Sequence, residues 1–239
     1  FLDRGNDIEV FSKKIKLPQS LDVWVIVDTG DSKRLGLLWP VLKKLAKKIL
    51  ILDHHPCLHE EDHSTAPSSI LRVVDERSSS IGELLYRLFH HCHDILDPAT
   101  SAFRLSVEIA LGLYVSIMTD TNSFRYARTT ALSHRIAADL IDFGLQPEEI
   151  YQNVYSSKSI DHLRLIGEVL SKVSEAPRKG GNGVEKTVVW VEIPKTLRKQ
   201  FGASSDDTQA IVNFLLLIKN AEVLVLFREE DDGAIKVSI

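Results

Sequence analysis

Two apolar runs constrain this chain more than any other feature. "LDVWVIVDTGD" (21–31) and "KKILILDHHP" (47–56) set large aliphatic residues side by side without alternation, then break into acids, glycine or histidine. A strand that is apolar on both faces must be covered on both, which is the habit of parallel sheets flanked by helices. The segment between them, "SKRLGLLWPVLKKLAKK" (32–48), spaces its apolar residues as a helix does. Its lysines gather towards the end, where they oppose the negative pole of the helix dipole. Strand, helix and strand make a β-α-β unit.

Farther along, "SIGELLYRLFHHCHDI" (80–95) has the pattern of an amphipathic helix. "SAFRLSVEIALGLYVSIMTDTNSF" (101–124) is a helix of small and apolar residues running into a polar apex. From "TTALSHRIAADLIDFG" (129–144) to "HLRLIGEVLSKV" (162–173) the pattern stays helical, with Gly144 as a C-cap and Pro147 opening the next helix. Texture changes at "SEAPRKGGNGVEK" (174–186), where proline, glycine and mixed charge predict a loop or boundary. Beyond it, "TVVWVEI" (187–193) and "AEVLVLFREEDDGAIKVSI" (221–239) predict strands, the latter a hairpin turning near Asp231-Asp232-Gly233. "SSDDTQAIVNFLLLIKN" (204–220) predicts a helix capped by Ser204 or Ser205. The expected fold class is α/β. A parallel-sheet lobe spans 1–155, a helical connector 156–173, and a smaller α/β lobe with a mixed sheet 174–239.

Charge narrows the functions. With 29 basic and 33 acidic residues the formal net charge is −4, which argues against holding nucleic acid by broad electrostatic attraction. An anionic substrate would need local groups or metal ions. No apolar run reaches membrane-spanning length, so no membrane partner is expected. Two cysteines, Cys57 and Cys92, give no disulfide framework and favour a reducing cytoplasm.

Acids and histidines collect where ligands bind in open α/β sheets, beyond the carboxyl ends of strands. Asp28 follows "VWVIV", Asp53-His54-His55 follows "ILIL", and Asp120 follows "LYVSIMT" and is grouped with these strand ends. Any one of these acids alone is explained as a turn residue or helix cap. Three together, with no glycine-rich phosphate loop, point elsewhere. Converging carboxylates repel unless cations lie between them. Oxygen-rich sites with a little imidazole suit manganese or magnesium better than zinc. Two such ions roughly 3.5–4 Å apart can activate a water and steady a phosphoryl transition state.

"LDHHP" resembles the signature of the DHH phosphoesterase superfamily. "VIVDTGD" is similar to that family's preceding motif and "GLYVSIMTDTNSFRY" (112–126) to its following one. "DTQAIVNFLLLIKNAEVLVLFREEDDGAIKVSI" (207–239) resembles the start of the DHH-associated C-terminal domain. Within the superfamily the likeness is greatest to the oligoribonuclease and 3'-phosphoadenosine-5'-phosphate phosphatase group; the exonuclease RecJ and the manganese pyrophosphatases stand farther off. The resemblance implies two divalent ions, Mn2+ first, with Mg2+ or Co2+ as substitutes. It implies Asp28 and Asp120 as bridging metal ligands and His54 as a ligand to one ion. His55 would face the substrate phosphate, Asp53 would support a histidine ring from behind, and Thr121 would tighten the turn at Asp120. Arg125 is a candidate phosphate contact, because guanidinium matches paired oxygens; a solvated loop arginine explains it equally well. Phe124 and Tyr126 either stack on a base or pack under the loop.

Other residues are set aside. His59 and His63 extend a polar loop. The histidines of "FHHCHD" (89–94) end a predicted helix, where the dipole favours them and neighbours point to different faces. Ser79, Ser80 and Glu83 form a helix start.

Two motifs of the resembled family have no counterpart: a His-x-x-x-Asp-x-Asp cluster on the opening strand, and a glycine-rich stretch ending in His. A chain that opens on Phe1 and stops at "KVSI" is therefore expected to be truncated at both ends, with catalysis conditional on the first motif lying upstream. The leading function is a manganese-dependent phosphoesterase acting on short oligonucleotides or small nucleotides. Pyrophosphate or polyphosphate cleavage is one alternative, an inactive nucleotide- or nucleic-acid-binding module another, and homodimerisation stays open.

Overall fold

The computed structural model describes residues 11, 17, 20–56, 70–95, 105–156, 159–179, 185–204, 206–208 and 211–239. The chain divides into two compact units, Phe1–Asn153 and Val154–Ile239.

In the first unit the two apolar runs become β1 (Leu21–Val27) and β2 (Ala46–Asp53), joined through a 3-10 turn (Ser32–Leu35) and α1 (Leu38–Leu45). The predicted single helix is broken at Gly36, whose φ of +51° suits glycine and ends the 3-10 turn. A third strand, β3 (Ile70–Val74), completes an all-parallel sheet in the order β1-β2-β3 among the described residues. It was not foreseen, because five residues interrupted by Arg72 carry too little periodicity to mark a strand.

The lack of alternation in β2 has the expected cause. Ile49 and Ile51 face one side and join Ile26 and Leu42, with Leu38 and Trp39 of α1 packed against them. Leu52 faces the other side and meets Ile81 and Leu84 of α2 (Ile81–Ile95), with Leu50 packed against that group. β1 is covered on one face only: Val23, Val25 and Val27 remain 49%, 49% and 42% exposed among the described residues.

α3 (Val107–Asp120) is apolar on most sides and buries Leu113, Tyr114, Ile117 and Met118. It lies close against α2, because a Cβ on Gly82 would come within 2.7 Å of the Leu113 carbonyl oxygen. α4 (Ala131–Ile141) and α5 (Pro147–Tyr155) follow, with Gly144 at φ +90° between them and Pro147 opening α5 as predicted. The helix start at Ser79-Ser80 does more than cap α2. Ser80 Oγ accepts from the Glu83 N–H at 3.0 Å, while the buried Glu83 carboxylate accepts from Ser79 at 2.7 Å and from Ser133 of α4 at 2.9 Å.

The second unit is a mixed sheet in the order β4-β5-β6-β7: β4 (Ser174–Lys179), β5 (Glu185–Ile193), β6 (Ala221–Glu229) and β7 (Ile235–Ser238). β5 and β6 run parallel and the outer pairs antiparallel. The stretch expected as a loop at 174–186 contains β4 and the start of β5, because antiparallel pairing with the apolar β5 overrides the weak strand preference of "SEAPRK". α6 (Ile160–Leu170), inside the expected connector, supplies Leu165, Ile166 and Val169 to this unit's core beside Val189, Val191 and Ile193. α7 (Lys195–Gln200) follows β5. The helix predicted over 204–220 is shorter than expected: a 3-10 turn at Asp206–Thr208 and α8 (Ile211–Leu215). Ser204 spends its hydroxyl on Asp207 at 2.8 Å, and Ser205 lies outside the described residues.

Two substitutions separate the covered and open faces of the first sheet. Ile51→Ala, at a side chain 2% exposed, is expected to lower unfolding stability by about 2–5 kcal/mol. Val25→Ala on the open face is expected to cost about 1 kcal/mol or less. Urea denaturation followed by circular dichroism measures both.

Candidate metal centre

Strand register brings the first two acids together. Val27 pairs with Leu52 in a parallel ladder, so the next residues, Asp28 and Asp53, emerge at one edge of the sheet. The Asp28 N–H extends the ladder by donating to the Leu52 carbonyl at 2.9 Å. Asp28 then takes φ +64°, a left-handed conformation unfavourable for a residue with a Cβ, and the chain turns off the strand at that acid.

Asp53 shapes the loop that follows β2. Its Oδ1 accepts from the backbone N–H groups of His54 at 2.7 Å and His55 at 3.1 Å, and meets His55 Nδ1 at 2.8 Å. Its Oδ2 accepts from the Gly30 N–H. A Cβ on Gly30 would lie 3.0 Å from that oxygen, so the missing side chain is what permits the approach. Arg72 of β3 donates to the Gly30 carbonyl at 2.8 Å from the other side. Burial pushes the Asp53 carboxyl up, but the hydrogen bonds from the His55 ring and from the His55, His54 and Gly30 amides outweigh it. The group is held below its ordinary value.

Asp120 arrives differently. It does not end a strand, as its grouping with the other two acids implied, but is the last residue of α3. The helix read over 101–124 holds and continues to its polar end, so the grouping with strand ends is the part that gives way. The carboxylate therefore sits at the negative pole of a helix, where it gains nothing from the dipole. Burial raises its pKa, the His54 and His55 rings and Arg128 oppose the rise, and the Asp28 charge adds to it; the net direction is upward. The turn behind it is tied by Thr121, which is fully buried. Its hydroxyl donates to the Ile117 carbonyl at 2.6 Å and accepts from the Phe124 N–H at 2.9 Å.

The acids converge on one nitrogen. His54 Nε2 lies 3.2 Å from Asp28 Oδ1 and 3.6 Å from Asp120 Oδ2, and its ring is buried. His55 Nδ1 is 3.8 Å from the same Asp28 oxygen. Ligand atoms of Asp28, Asp53, His54 and His55 all lie within 4.8 Å of one another. Among the described residues this is the one group with metal-ligating composition and spacing. A divalent cation fits the donor set. Asp53 already has its charge answered by hydrogen bonds, whereas Asp28 and Asp120 face each other across His54, and their repulsion adds to the burial that raises Asp120.

Other predicted site residues fall around this core. Asp53 holds the ring of His55 rather than that of His54. Arg125 donates from Nε and Nη2 to the backbone and side-chain oxygens of Asn122, both at 2.9 Å, and is exposed. Phe124 stacks on His134 with ring centroids 4.9 Å apart, while Tyr126 is exposed. In "FHHCHD", His90 packs on Tyr86 at 4.4 Å. His59 and His63 lie outside the described residues. Gly30, Arg72 and Arg128 were not singled out from sequence. The glycine of "DTGD" offered a signal for the first; the two arginines act across long stretches of chain and offered none.

Opposite environments give the acids opposite effects on stability. Asp53 has a lowered folded pKa, so its contribution is present above the ordinary carboxyl range and fades as pH falls through the folded value. Asp53→Asn is therefore expected to destabilise the metal-free protein at pH 7 by about 1–3 kcal/mol. Asp120 has a raised folded pKa, so the folded state is penalised as pH rises through that value. Asp120→Asn is expected to raise the metal-free melting temperature at pH 7, with the gain disappearing towards pH 4. Thermal unfolding in EDTA across this range tests both signs.

Known proteins resemble the chain in sequence and in fold. The bifunctional oligoribonuclease and PAP phosphatase NrnA of Bacillus subtilis is 27% identical over 209 residues, 87% of this chain and 58% of that protein. The protein of the same name from Thermus thermophilus is 27% identical over 191 residues, 80% of this chain and 50% of its own length. The crystal structure of an exopolyphosphatase-related protein from Bacteroides fragilis matches with a TM-score of 0.74 at 27% identity, over 92% of this chain and 58% of that one. No family model matches. The chain thus spans between half and three-fifths of the length of these proteins. Likeness in sequence and in fold supports the reading of "LDHHP" and its flanking acids as those of a DHH-superfamily phosphoesterase.

Proposed function

We propose that this chain is part of a divalent-metal-dependent phosphoesterase that hydrolyses short oligonucleotides or small nucleotide phosphates, with Mn2+ as its working ion. One observation carries the proposal: Asp28 and Asp120, from a strand end and a helix end, meet on the buried Nε2 of His54. The likeness to two proteins named as oligoribonucleases and PAP phosphatases supports the substrate class.

Asp28, His54 and Asp120 would hold the cation. When bound, a divalent ion neutralises phosphate charge and lowers the pKa of a water. The chain's own residues do the rest. Asp53, ionised well into the acid range, accepts the Nδ1 proton of His55 and fixes that tautomer. The other ring nitrogen of His55 is then left to exchange a proton with the reacting phosphate or its leaving group. The side chain is 41% exposed, open enough to meet a ligand. A reducing cytoplasm is the proposed compartment, on the sequence's lack of a disulfide framework.

The exopolyphosphatase-related name of the Bacteroides fragilis protein favours one second reading, cleavage of polyphosphate. Both are tested together. Full-length protein with Mn2+ is expected to release mononucleotides from a trinucleotide and phosphate from 3'-phosphoadenosine-5'-phosphate, faster than phosphate from polyphosphate. EDTA should abolish release, and Asp120→Ala should reduce it by about 100-fold or more, at or beyond the upper end of losses seen when a ligand's supporting partner is removed. Turnover of polyphosphate alone would favour the second reading, and absence of turnover on all three would leave a binding module.

A further inference from the structure

We propose that Arg128 is the positioning residue for His54, acting on its backbone, and that it sets the affinity of the centre for its cation. The inference rests on the reading of Asp28, His54 and Asp120 as metal ligands.

A metal-binding imidazole is usually aimed by its second ring nitrogen, which donates to a carboxylate or carbonyl and fixes both tautomer and orientation. His54 lacks that support. Its Nδ1 is buried and finds no hydrogen-bond partner among the described residues. The ring nearest to it, His55, takes the Asp53 carboxylate for itself. The aim of His54 must therefore come from its main chain, which is pinned on both sides. Its N–H donates to Asp53 Oδ1 at 2.7 Å, and its carbonyl accepts from Arg128 Nη2 at 3.1 Å.

The same Nη2 donates a second bond, also 3.1 Å, to the Glu76 carbonyl. One nitrogen thus joins the residue after β2 to the turn after β3, from a residue that follows the Asp120 turn. That turn end is itself fixed: the Asp75 N–H donates to the Asp53 carbonyl at 3.1 Å, and the Asp75 carboxylate takes Arg87 at 2.6 Å. Arg128 ties Asp120's loop and His54's backbone to one rigid support. It sets the spacing between two ligands that come from different elements.

Charge alone makes the contrary prediction, which gives the test its force. A cation beside a metal site repels the incoming ion, so its removal should strengthen Mn2+ binding. Loss of positioning should weaken it. Mn2+ affinity of the full-length protein is measured by titration calorimetry, and the metal-free melting temperature in EDTA, for wild type, Arg128→Ala and Arg128→Lys. Arg128→Ala is expected to weaken Mn2+ binding about 10-fold, within the range for losing a ligand's supporting partner. Its metal-free melting temperature should stay within a few degrees of wild type, since the residue is exposed. Arg128→Lys, which retains donors on a slightly shorter chain, should recover most of the affinity. Unchanged or tighter Mn2+ binding in Arg128→Ala overturns the inference, and so does a large fall in metal-free stability, which would make the residue merely structural. A wild-type protein that takes up no Mn2+ refutes the underlying reading of the ligands instead, and the inference with it.

Discussion

Crowded negative charge is the constraint on which this molecule turns. Three aspartates meet at one end of a small parallel sheet, and the fold treats them differently. Asp53 is answered in full by the ring of His55 and three backbone N–H groups, which makes it a structural anion. Asp28 and Asp120 receive no such set. Asp120 is placed at the negative end of α3 and pressed upward in pKa by burial and by Asp28. Identical side chains thus take different work from their surroundings. The acid that organises the loop is satisfied by protein, and the two that face the buried imidazole are the ones proposed to take a cation.

Much of the first unit was legible because its signal is local. An apolar run without alternation means a strand covered twice, and β2 has Ile49 and Ile51 under α1 with Leu52 under α2. What failed was information held elsewhere in the chain. β3 and β4 are strands because a neighbour pairs with them, not because "ILRVV" or "SEAPRK" has a marked pattern of its own. The Glu83 carboxylate seemed a local cap partner, yet it reaches Ser133 fifty residues away.

The centre shows the same division. Asp53, His54 and His55 are adjacent in sequence and were found together; Asp28 joined them through parallel register, which the β-α-β pattern implies. Asp120 was recognised as a ligand candidate and its segment as a helix, but it was grouped with the strand ends; the helical reading is the one that holds. The supports were invisible for a physical reason. Arg128 reaches carbonyl oxygens 74 and 52 residues distant, and any residue supplies a carbonyl. Contacts to backbone leave no mark on the identity of the partner.

Backbone strain gathers at the same place. Four of the five non-glycine residues with positive φ among the described residues, Asp28, Asn122, Ser123 and Phe124, lie at Asp28 or just beyond Asp120; the fifth is Asn220 in the second unit. Such conformations cost on the order of 1 kcal/mol or more each and persist only where neighbours over-determine them. Here the neighbours are named: the Leu52 carbonyl holds the amide of Asp28, and the Thr121 hydroxyl holds the amide of Phe124. A relaxed chain would carry Asp28 straight on from β1 and let the α3 end unwind away from it. The hydrogen bonds that prevent this oppose both the torsional preference of four residues and the mutual repulsion of two carboxylates. On the proposed reading of Asp28 and Asp120 as metal ligands, an arrangement so unfavourable without a cation is accounted for by what a cation would gain from finding them already in place.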